Sequence, residues 1–185
     1  MTLAVFALAT LALLVSPGPT NTLLFVSGAD AGLRRSLRLI PAELVGYLAV
    51  IVPLALLGRP YLAAHPAVER GVAVSASLWV LYLAVSLWRA PRAQAPAAVT
   101  FRRVLATTMM NPKALVIALV LLPEDGRLLR PLLLFAAMVV CVASGWIAAG
   151  AGVGRAVGAR APSLTRRAAA GYLLFVAAMV FSKAL

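Results

Sequence analysis

Two short motifs in this chain set helix-breaking residues beside polar ones within apolar sequence: Ser16-Pro17-Gly18-Pro19-Thr20-Asn21 and Asn111-Pro112-Lys113. A proline inside a helix removes one main-chain hydrogen bond and crowds the preceding turn, at a cost of about 3 kcal/mol in water. Two prolines bracketing Gly18 end regular helix outright, and the freed carbonyls and amides need protein, water or a ligand as partners. A kink packed on its neighbours would use them as structure; a bound solute would use them as function. Asn21 has both a donor and an acceptor, for a ligand or for the groups that Pro17 and Pro19 leave behind. Lys113 adds a charge. Pointing inward, it would stand at a helix start after Pro112, where an ammonium and free amides suit a carboxylate. Pointing outward, it would snorkel to the membrane face.

Glu43 is the clearest acid within apolar sequence, three residues before Gly46 and four before Tyr47. A carboxylate there either pairs with Arg35 or Arg38 at the end of the segment, or serves as a proton carrier or a site for a substrate amine. Asp30, between Gly28 and Gly32, reads as a loop residue. Other chemistry is poorly provided for. His65 and Cys141 are the only residues of their types, so neither a His/Cys metal set nor an intrachain disulfide can be assembled. No acid-rich metal motif, Ser/His pair or nucleophilic cysteine marks an integral-membrane enzyme, and no cofactor is expected.

These residues must be held by membrane-spanning helices. Of the 185 residues, 63% are hydrophobic and 12% charged, with a mean hydropathy of +1.00; soluble domains are roughly 45–50% apolar and about 25% charged. The excess must face lipid, so the bilayer is an expected partner. The net charge of +12 does not indicate nucleic-acid binding, because the basic residues sit in short clusters between apolar runs rather than on a face with interleaved aromatics. The apolar windows predict six spans, at about 2–26 (interrupted at 16–19), 39–57, 72–88, 104–122, 131–150 and 168–185. They are apolar on every face, unlike the alternating segments of a membrane barrel. Met1 to Ser16 hold no Lys or Arg, so the first run is read as a retained helix rather than a signal peptide.

The loops after spans one, three and five carry eleven Lys and Arg against five on the opposite side. That bias makes the odd loops cytoplasmic and puts both termini outside. Residues 91–103, with Pro91 and Pro96, separate a first three-helix unit (1–90) from a second (104–185). An odd number of spans per unit inverts the second relative to the first. The two proline breaks, at Pro17 and Pro112, fall 95 positions apart, at related places in the two units.

With Gly32-Leu33-Arg34-Arg35, the aromatic-aliphatic run from Trp79 to Leu87, Pro123 and Gly171, the two motifs make the whole chain resemble the LysE/RhtB translocator family. The resemblance implies an all-α protein of the bacterial inner membrane, six transmembrane helices in two inverted three-helix repeats. It implies export of amino acids or related small solutes, driven by a proton or other ion gradient. Pro17, Gly18, Pro19, Asn21, Asn111, Pro112 and Lys113 would line or shape the central site. Where many members have a Gly-Asp-like pair in the second span, this chain has Gly46-Tyr47, and Glu43, one turn away on the same face, is the candidate replacement. Export of another solute or an inorganic ion is the alternative, followed by an enzyme or an assembly subunit. A homodimer is an open expectation.

Overall fold

The computed structural model describes residues 2–58, 99–123 and 128–157, with single positions 78, 81 and 171. Among these residues every regular element is helical. Apart from those single positions, the predicted third span (72–88) and sixth span (168–185) lie outside the described residues, as do residues 91–98 of the linker and His65.

The predicted first span is two helices, α1 (Leu3–Val15) and α2 (Pro19–Ala31), bent by 56° at the Ser16–Gly18 break. Pro17 and Pro19 have no N–H, so the carbonyls of Leu13 and Val15, four residues earlier, lose their helical donors. Helix α2 continues five residues past the expected end at Val26 and takes Asp30 into its last turn, correcting the loop assignment. It stops at Gly32, whose φ of +79° is open to glycine and strained for other residues.

From there α3 (Leu33–Ser36), one 3₁₀ turn (Leu37–Leu39) and α4 (Ile40–Pro53) run as a continuous apolar helix, Leu33–Leu56, six residues earlier in start than predicted. Pro53 opens its end into a π turn, Leu54–Gly58. The predicted fourth span is broken as α5 (Phe101–Met109) and α6 (Pro112–Val116), the latter followed by a π turn at Ile117–Leu121. Helix α7 (Leu129–Val157) extends the predicted fifth span at both ends. Two of these helices, Leu33–Leu56 and α7, are long and apolar enough to cross a membrane; with the bent α1–α2 pair counted as one span there are three.

The most extensive helix contact joins α2 to α7. It is made through glycines. A Cβ on Gly28 would run into the Ile147 carbonyl, and one on Gly150 into the Phe25 carbonyl. Gly154, one turn further, lies against Ala29 in the same way, a small-residue spacing that lets helix backbones touch. Phe25 and Trp146 close the crossing edge to face, with ring centroids 6.2 Å apart. Gly150→Val is expected to force the helices apart and cost at least the ~1–3 kcal/mol of an overpacked core, read as a lower melting temperature in detergent.

Two apolar clusters flank the polar residues. One gathers Phe6, Leu14, Tyr47, Ala114, Ile117 and Phe135; the other Leu24, Ala42, Val104, Ala143 and Ile147. Along each segment the polar positions fall between members of the two: Thr20 and Asn21 between Leu14 and Leu24, Glu43 between Ala42 and Tyr47, and Thr107 to Lys113 between Val104 and Ala114. Outward, large apolar side chains such as Leu8 and Leu129, each 71% exposed, face away from the interior.

Candidate functional site

The break at the end of α1 strips its last carbonyls of partners, and the site is built from what replaces them. Ser16 Oγ donates to the Leu13 carbonyl (2.7 Å). The Asn21 side-chain amide donates to the carbonyls of Leu14 (2.7 Å) and Ser16 (3.0 Å). Of the two uses open to Asn21, its amide therefore takes the structural one, bridging two carbonyls left open by the bend. Thr22 Oγ1 donates to the Gly18 carbonyl (2.8 Å).

Lys113 reaches the same place from the second break. Its Nζ donates to the Leu14 carbonyl (3.4 Å) and to the Ser16 carbonyl (2.5 Å). The side chain is 8% exposed and points inward, so it does not snorkel. It passes over Gly18, where a Cβ would stand 3.0 Å from Lys113 Cε and 3.2 Å from Nζ. Gly18 thus admits the lysine, which accounts for a glycine between the two prolines. A cation at the C-terminal end of α1 also meets the negative pole of that helix.

Asn111 caps α6. Its Oδ1 accepts from the Lys113 amide (3.1 Å), and its carbonyl from the Ala114 amide (3.0 Å). Pro112 has no amide to offer. The free amides expected after Pro112 are therefore already engaged, because an asparagine at this position is a strong helix cap.

The Asn111 side-chain amide donates to Thr20 Oγ1 (3.2 Å), and Thr20 Oγ1 lies 3.2 Å from Thr108 Oγ1. Thr108 spends its single hydroxyl proton on the Val104 carbonyl (2.9 Å). Thr20 must then be the donor to Thr108, so the relay runs one way, Asn111 to Thr20 to Thr108 to Val104. Gly46 packs on this relay: a Cβ there would sit 2.8 Å from Thr108 Cβ and 3.0 Å from the Leu105 carbonyl. Gly46 brings α4 close to α5 and offers no side chain to a ligand.

Glu43, in the first turn of α4, is 2% exposed, and its Oε2 is buried with no hydrogen-bond partner. Arg35 and Arg38 are exposed and do not hold it. The Lys113 ammonium is near enough for the two charges to attract, yet it spends its hydrogen bonds on Leu14 and Ser16. Next to Glu43, Tyr47 is buried edge to face on Phe135, with centroids 5.5 Å apart.

Of the nine residues singled out from sequence, Asn21 and Lys113 share the Leu14 and Ser16 carbonyls, Gly18 lies under the Lys113 side chain, and Asn111 accepts from the Lys113 amide. Pro17 and Pro19 shape the break, Pro17 with its ring exposed and Pro19 buried. Pro112 begins α6 half-buried, Gly46 is a packing position, and Glu43 stands within electrostatic reach of Lys113. Thr20 and Thr108 were not singled out. The signal for Thr108 was its place three residues before Asn111, in the last turn ahead of the break. Thr10, also missed, is fully buried on α1 between Phe6 and Leu14, and its Oγ1 has no hydrogen-bond partner. Comparison with protein-family models, curated proteins and solved structures finds no match to this chain.

Proposed function

We propose that the protein is a secondary transporter that exports amino acids or related small solutes across the bacterial inner membrane by alternating access, as the LysE/RhtB exporters it resembles do. The observation that carries this reading is the meeting of the two proline breaks: Lys113 on the second is bonded to the carbonyls that Pro17-Gly18-Pro19 exposes at the first. Broken helices that face each other across a repeat are how many transporters place polar groups at membrane depth. A lysine among apolar residues costs about 2.5–3.5 kcal/mol on insertion scales. The burial of Lys113 together with a Glu43 oxygen that has no hydrogen-bond partner favours use over mere fastening. One cation, one carboxylate and a pair of main-chain carbonyls suit a solute that carries both charges.

In this reading the chain has six spans in two inverted repeats, divided at 91–103, with the odd loops cytoplasmic and both termini outside. A proton or other ion gradient drives export. Single cysteines on a Cys141→Ala background test the orientation: an impermeant thiol reagent added outside should label positions 59 and 127 and spare 92 and 160. Labelling of 92 and 160 from outside would reject it. Function itself is tested in proteoliposomes loaded with a panel of labelled amino acids. Saturable counterflow of at least one of them is expected, and a panel without any exchange would overturn the proposal.

A further inference from the structure

The end of α1 is a socket for a compact cation, and the chain fills it from within. Two carbonyls, those of Leu14 and Ser16, converge on one ammonium, the Asn21 amide braces both, and Gly18 leaves the space the ammonium needs. The cation belongs to a segment 97 residues away. The carboxylate within its electrostatic reach, Glu43, keeps a buried oxygen without a hydrogen bond. The tethered cation thus bonds the uncharged acceptors, while the carboxylate keeps an oxygen without a hydrogen bond.

We propose that this carbonyl socket binds a primary ammonium group, which on the transport reading is the amine of the solute, and that the Lys113 side chain holds its place until displaced. A primary ammonium presents three N–H donors on a small tetrahedral head, as Lys113 does. A guanidinium is a planar fork, and a quaternary ammonium has no donor. Once displaced, the Lys113 ammonium is free to meet the carboxylate of the same solute, so an incoming amino acid leaves no charge unmatched. The solute is thereby specified as an amine bearer: acylating its amino group abolishes recognition, whatever its carboxyl end.

The test is chemical rescue in the full-length protein. Lys113→Ala empties the socket and is expected to melt several degrees lower in detergent. Ethylammonium or n-propylammonium should recover most of that loss in a saturable manner, and tetramethylammonium and guanidinium at equal concentration should not. Lys113→Gln, which keeps an N–H donor near the carbonyls, is measured in the same way should the alanine variant not fold. Equal shifts with all four ions would overturn the proposal. So would full recovery by sodium or potassium chloride, which would make the socket an alkali-cation site. The melting readout needs no flux. Failed rescue beside intact amino-acid counterflow by the native protein removes the socket alone, whereas rescue with no counterflow removes the transport reading and leaves the socket.

Discussion

Glu43→Gln is expected to abolish gradient-driven efflux while leaving solute counterflow largely intact. Exchange returns the carrier in the same protonation state in which it set out, so a group that only carries the coupling proton is dispensable for it; net export needs that group to bind and release the proton each cycle. The side chain is buried, its Oε2 has no hydrogen-bond partner, and the exposed Arg35 and Arg38 do not neutralise it. Glutamine keeps the shape and removes the titration. The measurement is labelled-solute flux in proteoliposomes with and without an imposed pH gradient. Efflux within about twofold of native at every accessible pH would take Glu43 out of the coupling step.

The second large effect is expected from straightening the first break. Pro17→Ala with Pro19→Ala restores two main-chain N–H groups, which can return to the carbonyls of Leu13 and Val15 and let α1 run on into α2. The 56° bend is then lost, and with it the presentation of Leu14 and Ser16 to Lys113. Apolarity is unchanged, so membrane insertion should persist while solute binding falls by about tenfold or more, the equivalent of one charge-assisted hydrogen bond at ~1.5–3 kcal/mol. Equilibrium binding on purified protein checks it. A well-folded double variant with native affinity would show that the break serves packing only.

Both breaks were legible in the sequence because proline acts locally: a missing N–H has the same consequence wherever the chain goes next. Their meeting was suggested only by the 95-position spacing, and the spacing does not say which atoms touch. The direction of Lys113 was not legible, since a long aliphatic stem with a charged head can point toward either interior or interface. The engaged amides after Pro112 could have been foreseen from Asn111, a residue that caps helices through its own side chain. Thr20 and Thr108 escaped notice because threonine in an apolar helix usually satisfies itself on the carbonyl four residues back. Thr108 does so with Val104 and still accepts from Thr20. Helix ends were misplaced where the stop is set by one backbone angle, as at Gly32, rather than by a change in polarity.

The bond from Lys113 to the Ser16 carbonyl also bears on how the chain is made. Helix α6 emerges from the ribosome with a charged residue that, on its own, resists release into lipid by about 2.5–3.5 kcal/mol. Its acceptors were synthesised 97 residues earlier, on a bent pair of helices that contains no charge before Asp30. On the proposed membrane reading, the second break would enter at less cost if the first were already there to receive it. Insertion would then have a preferred order, with the N-terminal bend receiving a segment made 97 residues later.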